Sequence, residues 1–413
     1  MIRYCKNCVY PETKPDLILD ENGICDACRF LKVKDTTNWE LRRKELSEIF
    51  EKFKSKDGTN YDCIIPVSGG KDSTYQTYVV KEEFGLNPLC VSYHLPEFTE
   101  LGRKNLENLK QLGVDCIEFT PNPEICRQMQ KIALIELGDG QWPEHFGIFT
   151  VPVQIAVKFN IPLIVWGENS QAEYGGPLKD STNPFLDSNW CKEYGTRVGG
   201  KENPHQGPEF MLKHGIDRKH LNPYIYPSDE EIKKVGVTGI FLGYFIKWNV
   251  QKQLEKNIEL GFTLHDGPTE GTYTNYENLD NKIQGIHDYF KWLKFGYGRA
   301  TDNAAIQIRG GTLTREEGME LIKKHEGKLP EKYLNVSAKN LHNKKKLKYF
   351  RKYIHNNQNL DKKFDNLKSS IITPDKDIIP DAENLNPAYI VFDNYEIILK
   401  WNRSLRFSLA VCT

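Results

Sequence analysis

The stretch Cys63-Ile64-Ile65-Pro66-Val67-Ser68-Gly69-Gly70-Lys71-Asp72-Ser73 decides the fold of this chain. Its first five residues are an apolar run, and Thr74 to Phe84 reads as a helix, so the glycines fall at a strand-to-helix turn. Glycine lets the backbone approach an anion closely, and amide donors at a helix N-terminus supply fixed positive potential there. Ser68, Gly69, Gly70, Lys71, Asp72 and Ser73 therefore form a candidate phosphate cradle. Lys71 adds a mobile point charge, while Asp72 is placed either to meet magnesium or to cap the helix. The spacing differs from GxxxxGK[ST], because two adjacent glycines precede Lys-Asp-Ser.

SGGKDS resembles the pyrophosphate loop of ATP pyrophosphatases, which cleave ATP between its α and β phosphates. Around it, helical and strand-like segments alternate. Trp39 to Phe53 has helical periodicity through Leu41, Leu46, Ile49 and Phe53, and 54–60 reads as a polar turn into the first strand. Beyond the loop we expect strand 89–93, helix 101–112 stopping at Gly113, strand 115–119, helix 124–137 ending at Gly138, helix 152–159 and strand 161–166. Short strands without polar alternation, separated by helices, imply an α/β fold: a parallel, doubly wound sheet covered on both faces. The resemblance implies the PP-loop, adenine nucleotide alpha hydrolase-like version of that fold. ATP, with Mg2+, is then expected across the carboxyl ends of the strands.

Ten cysteines in a chain of 413 residues do not form a disulfide scaffold here, because four of them fall into a different pattern. Cys5-x2-Cys8 and Cys25-x2-Cys28 have the two-knuckle spacing of a four-thiolate zinc site, with turn-forming Pro11, Pro15 and 20–23 between them. A redox dithiol or an iron–sulfur cluster is the alternative. Four protein thiolates leave no open position, so a Zn2+ there is structural. Cys63, Cys90 and Cys116 lie in strand-like runs and read as small buried hydrophobes, and Cys126, Cys191 and Cys412 show no pair spacing.

At the end of the strand 161–166 stand Gly167, Glu168 and Asn169, suited to hold magnesium on ATP oxygens or to fix a substrate; the competing reading is a polar turn with Asn169 and Ser170 as caps. Residues 177–227 are rich in Gly, Pro, Asn and aromatic residues with little periodicity, which reads as a lid or binding insertion. Its His205, His214 and His220 lack metal-ligand spacing. Downstream, 239–248 is strand-like, 249–260 helical, and Ile283, Ile286, Phe290 and Leu293 form an apolar stripe expected to face the core. Thr314 and Glu317 have capping-box spacing for a helix ending at Gly327. Arg299, Arg309 and Arg315 are fork-shaped donors suited to phosphate or carboxylate, with a surface ion pair the favoured reading for Arg315.

Lys+Arg and Asp+Glu are equal at 56 each, so no overall charge draws the chain to nucleic acid or an anionic membrane. No apolar run approaches the length of a membrane span, and Met1 to Cys5 lead into the cysteine motif, not an apolar signal region. A cytoplasmic enzyme is the expectation, and 39% hydrophobic residues can build a sizeable core.

The paired CxxC ribbon, SGGKDS, the GEN segment at 167–169 and the stretch YGRATD…IRGGTLTREE from Tyr297 to Glu317, in this order, resemble the N-acetyl sugar amidotransferases of bacterial surface-glycan synthesis. The resemblance covers roughly residues 1–330. It implies conversion of an acetamido group on a sugar or nonulosonic acid, free or nucleotide-linked, into an acetamidino group, with a separate glutaminase supplying ammonia. It also sets Arg299 and Asp302 beside Lys71 and Asp72 as candidate catalytic residues. The implied organisation is a ribbon at 1–35, an ATP-binding core at 36–176, an insertion at 177–238, an α-rich substrate part at 239–335 and a tail at 336–413, in which 388–401 looks like a hairpin around Asp393-Asn394. A partner glutaminase fits the absence of a Gly-x-Cys-x-Gly elbow and of a cysteine next to Met1. The main competitor is a tRNA-modifying thiolase, for which Cys126 and Cys191 are available but a basic surface and a second ribbon are lacking. A non-catalytic nucleotide-binding regulator is weaker still, because nothing in the loop is degraded.

Overall fold

A computed structural model describes residues 2–196, 207–330 and 332, together with the strands 345–346, 368–372 and 389–392. Residues 1–328 form one compact unit and 329–413 another. The first is organised by a parallel sheet of five strands: β1 Cys63–Pro66, β2 Pro88–Tyr93, β3 Asp115–Phe119, β4 Leu163–Trp166 and β5 Thr238–Phe241. Their order is β3-β2-β1-β4-β5, so the chain winds outward from β1 in one direction and then from β4 in the other. The phosphate loop leaves β1 at that reversal, where the crevice between diverging connections opens.

Helices cover both faces. The helices α1 Asp26–Thr36, α2 Trp39–Phe53, α3 Lys71–Tyr78, α4 Glu100–Lys110, α5 Pro123–Leu137 and α6 Trp142–Phe159 occupy the connections up to β4. Asn38 caps α2, Thr99 caps α4 and Asn122 caps α5, each side chain accepting from a first-turn amide. Pleating sends Cys63, Ile65 and Val67 to one face against Leu46 and Phe50 of α2 and Leu106 and Leu109 of α4. Ile64, Val91, Tyr93 and Ile164 face the other way, onto Met129 and Ala133 of α5 and Trp142 and Phe146 of α6. Both faces are dry, which is why these strands carry no polar alternation. Burying Leu46 and Phe50 contributes about 1.5–3 kcal/mol each.

Several elements differ from the sequence reading. The helix after the loop starts at Lys71, three residues early, and continues from Val79 to Glu83 as a π-helical turn. The helix expected at 152–159 starts at Trp142, with Pro152 inside it. An interior proline costs roughly 3 kcal/mol, and the burial of Trp142, Phe146, Val151, Val153 and Ala156 on the sheet offsets it. The strand expected at 239–248 stops at Phe241, and Leu242–Phe245 turns into a helix. Of the expected α2 stripe only Leu46 is buried, with Ile49 and Phe53 half-buried and Leu41 exposed; Phe50, outside that stripe, is the helix's other buried residue. In Gln284–Phe295 the fully buried side chains are Asp288 and Tyr289, while Ile286, Phe290 and Leu293 are half-buried. Cys63 and Cys90 are buried as expected, and Cys116 only partly.

The insertion is not a structureless lid. Its described parts carry short helices at Ser188–Trp190, Pro208–Lys213 and Asp229–Val235, and Leu186, Trp190, Met211, Leu221 and Tyr224 join the main core. Leu186 N donates to Gly239 O at 3.0 Å, so the insertion also covers the free edge of β5. His214 is exposed and His220 half-buried, while His205 lies outside the described residues. In the second unit, Lys345–Lys346, Lys368–Ile372 and Tyr389–Phe392 form an antiparallel sheet. Tyr389–Phe392 is thus a strand, paired with Lys368–Ile372; the rest of the expected hairpin, and Cys412, lie outside the described residues. Among the described residues no helix is long and apolar enough to cross a membrane.

Gly147 of α6 passes directly under Tyr93, where an added Cβ would lie 2.2 Å from the ring. That ring stacks on Phe119 and its hydroxyl pairs with that of Tyr224 at 3.0 Å, so it has little freedom to retreat. Gly147→Ala is expected to destabilise the protein by about 1–3 kcal/mol, read as a Tm several degrees lower by calorimetry. An unchanged Tm would show that the ring moves aside.

Candidate active site

The loop is built by its own serines. Ser68 Oγ accepts from Gly70 N at 3.2 Å, and Ser73 Oγ accepts from Ser68 N at 3.4 Å while donating to Gly70 O at 3.1 Å. Gly69 has φ +81°, and a Cβ there would lie 2.7 Å from Leu106 N, so both conformation and space require glycine. With α3 starting at Lys71, Asp72 stands in its first turn and does not cap it. Lys71 is 5% exposed and ion-paired with Asp72 and, at 3.0 Å, with Glu277. Burial disfavours its charge, but those carboxylates hold its pKa well above the usual lysine value. Asp72 Oδ1 is buried with no hydrogen-bond partner among the described residues.

Two cavities meet at this lysine. The larger, about 350 Å3, runs from Ser68 and Gly70 past His94 and Phe98 to Glu144, His287 and Arg299. The smaller, about 260 Å3, lies between α1, Glu168, Trp248 and Gln307. Lys71, Asp72, Tyr276 and Glu277 line both. Glu168 thus reaches the loop region, and burial, with Asp72 close by, pushes its pKa up to about 8. Gly167 and Asn169 do other work. Gly167 O accepts from Gly243 N at 3.1 Å, and Asn169 caps Gln171 N at 2.9 Å while its amide donates to Asp180 O at 2.7 Å. The capping alternative therefore describes Asn169.

Arg299 lines the larger cavity, with its Nε donating to Asp288 Oδ2 at 3.3 Å. Asp302 does not join it. It is 3% exposed, accepts from Tyr10 Oη at 3.0 Å and pairs with Lys291, so it ties the ribbon to the helix Arg299–Arg309. Arg315 is not a surface ion pair either: its Nε donates to Cys8 O at 3.0 Å. Arg309 donates to Glu173 O and stands 5.5 Å over the ring of Tyr10.

The sequence reading missed two parts of the wall. One is 276–281, pinned across the cavity mouth by Thr99 N donating to Asp280 O at 2.9 Å and Lys282 N to Glu97 O at 3.0 Å. The dense polar run Asn275-Tyr276-Glu277-Asn278 was its available signal. The other is a polar corner of Asp139, Glu144, His145 and His287. Asp139, Glu144 and His145 lie within seven residues but His287 comes from a distant helix, and the four carry no shared motif.

The ribbon brings Cys5, Cys8, Cys25 and Cys28 together, all buried, with their sulfurs within 4.8 Å of one another. Cys25 and Cys28 open α1, which the turn-rich reading did not anticipate. Cys5 and Cys28 sulfurs are 3.8 Å apart and those of Cys8 and Cys25 3.6 Å. Thiolates at about 2.3 Å from one tetrahedral ion stand about 3.8 Å apart, so the set fits a single metal ion. Thiolates around a four-iron cluster stand on its outside, much further apart.

Residues 270–373 match the family "LPS biosynthesis protein WbpG-like, C-terminal domain". The matched segment contributes Tyr276, Glu277, His287 and Arg299 to the larger cavity, and it runs past residue 330, where the sequence resemblance ends. An uncharacterised protein of Methanocaldococcus jannaschii, MJ1599, is 41% identical over 88 residues, which are 21% of this chain and 31% of that protein. The chain thus spans about a third of the length of this curated relative. Among solved structures, the U34-tRNA thiolase NcsA of Methanococcus maripaludis, with its [4Fe-4S] cluster, is 12% identical with a TM-score of 0.31, over 79% of this chain and 90% of that one. The NH3-dependent NAD synthetase of Campylobacter jejuni is 12% identical with a TM-score of 0.28, over 55% and 97%. Over residues 270–373 the chain is similar to the WbpG-like proteins of lipopolysaccharide biosynthesis, in keeping with the N-acetyl sugar amidotransferase resemblance of its motifs.

Proposed function

We propose that this chain is an ATP-dependent amidotransferase that converts the acetamido group of a sugar or nonulosonic acid, free or nucleotide-linked, into an acetamidino group, releasing AMP and pyrophosphate. The observation that carries this reading is Lys71: a lysine in a glycine-built anion cradle, at the junction of two cavities, opposite a wall contributed by the WbpG-like domain. One cavity accommodates nucleotide and the other acceptor.

An acetamide carbonyl resists ammonia because resonance stabilises it and oxide is a poor leaving group. Transfer of the α-phosphoryl group of ATP to the amide oxygen removes both obstacles. The P–O bond to pyrophosphate breaks as the bond to the amide oxygen forms. Ammonia then adds to the imidate carbon, the C–O bond breaks, and AMP leaves with the oxygen. The protein's share is positional and electrostatic. The amides of Ser68 to Ser73 and Lys71 hold the departing pyrophosphate, and Arg299 offers a second cation in the same cavity. The orphaned Oδ1 of Asp72, with Glu168, would hold the Mg2+ that accompanies ATP. The four-cysteine site takes zinc in a purely structural role, since its thiolates leave no open position. The thiolase reading requires a catalytic cysteine. Cys126 and Cys191 are buried in the main core, line neither cavity, and burial pushes the Cys191 thiol up to about 12.

Incubation of an acetamido nucleotide sugar with ATP and ammonium should give AMP, pyrophosphate and an amidine product by mass spectrometry. Lys71→Ala should lower that turnover by about 10²–10³-fold with an unchanged circular dichroism spectrum. Stoichiometric ADP, or near-normal turnover of the variant, would sink the reading.

One zinc per chain should appear in metal analysis, and Cys25→Ser should cost solubility and stability more than it alters turnover of the folded fraction. Iron with visible absorbance would refute this assignment.

The purified chain should use ammonium salts but not glutamine, because among the described residues it presents no thiol placed for glutamine hydrolysis. A separate glutaminase subunit should make glutamine the better donor at neutral pH. Glutamine-dependent turnover by the isolated chain would contradict a two-protein system.

A further inference from the structure

One corner of the larger cavity holds titratable groups that phosphate chemistry leaves unused. His287 Nδ1 donates to Asp139 Oδ1 at 2.9 Å, and Asp139 is 7% exposed, held also by the amide of Gln141 at 3.0 Å and by Lys294 at 3.7 Å. A buried carboxylate bonded to one imidazole nitrogen fixes the tautomer and orients the ring, leaving the other nitrogen with a free lone pair. Among the described residues none bonds Nε2 of His287, and the ring lines the same cavity as Ser68, Lys71 and Arg299. Beside it, the ring of His145 lies 5.7 Å away, and Glu144 accepts from Asn281 through both oxygens at 3.0 Å. Burial pushes Glu144 up to about 7, with Asp280 adding to the shift, while the His287 pKa is raised by Asp139 against the opposing effect of burial.

We propose that His287, oriented by Asp139, is the base that takes the proton from the incoming nitrogen nucleophile, and that Glu144 and His145 complete the small polar site that receives ammonium or another compact amine. The proposal rests on the amidotransferase reading and assigns its second step. At neutral pH the nitrogen source is mainly ammonium, whose lone pair is occupied. Nε2 of His287 takes one proton, the freed pair forms the C–N bond to the imidate carbon, and the C–O bond breaks with its electrons leaving on AMP. The remaining three protons stay on the amidinium product, and the imidazolium returns its proton to water. Asp139 acts only through the ring and is a positioning residue.

The test separates the two half-reactions, with a UDP-linked acetamido hexose and a CMP-linked acetamido nonulosonic acid as probes. His287→Asn should retain sugar-dependent exchange of pyrophosphate into ATP, while its ammonium-dependent amidine formation at pH 7 falls about 10²–10³-fold. Hydroxylamine, a free base at that pH, should restore product formation, and raised pH should narrow the deficit with ammonia. The groups around His287 are Asp139 between α5 and α6, Glu144 and His145 on α6, and Asp288, Lys291 and Lys294 on its own helix, and the shift should vanish with His287, not with them. Asp139→Asn, which keeps size and shape, should show a smaller loss with the same hydroxylamine rescue, and it serves where the first variant misfolds. Full ammonium-dependent activity in His287→Asn, or equal loss of both half-reactions without rescue, would overturn the proposal. Absence of exchange in the unsubstituted protein would overturn the amidotransferase reading, and the proposal with it.

Discussion

The site depends on a buried ammonium that has to be neutralised. Lys71 lies where almost no water reaches it, and an unpaired charge there would cost several kcal/mol. Asp72 from the same helical turn and Glu277 from the segment that matches the WbpG-like domain supply the counter-charge. Their pairing joins the loop to the far wall of the cavity, so the ion cluster that keeps Lys71 charged also assembles the site. A phosphate bound at the loop would compete with those carboxylates for the same ammonium. A divalent cation accompanying ATP would in turn occupy the carboxylates that Lys71 releases.

A second joint holds that wall in place from behind. Tyr10 of the ribbon donates to Asp302, and Arg315 donates to the carbonyls of Cys8 and Cys5. The helices Arg299–Arg309 and Arg315–His325 are therefore braced against the four-cysteine cluster. Arg299 lines the cavity from the first of these helices, so the cysteine cluster behind that wall helps to set the position of a cation that the cavity presents. The motif YGRATD…IRGGTLTREE divides accordingly: Arg299 faces the cavity, while Asp302 and Arg315 face the ribbon.

Much of this was legible along the chain. The strands β1 to β4, the cap reading of Asn169, the capping box at Thr314 and Glu317 and the four cysteines are local patterns, and local patterns survive into the fold. The misreadings came where distant contacts override them. Pro152 sits inside α6 because the sheet face rewards a long apolar helix, and the Gly- and Pro-rich insertion is structured because Trp190, Met211 and Tyr224 find places in the main core.

The sequence by itself determined that β1 feeds a glycine loop and a helix, since side-chain sterics and hydrogen-bond geometry act within a few residues. It pointed equally to two CxxC pairs meeting in one cluster, because that spacing suits four thiolates around one ion. Only the tertiary structure decided that Glu277 neutralises Lys71 from 206 residues away, that Asp302 braces the ribbon instead of entering the cavity, and that Asp139, Glu144, His145 and His287 share a corner. Such groupings leave no periodic trace, because their members are brought together from distant helices and loops, and their chemistry exists only once the folded chain excludes water from around them.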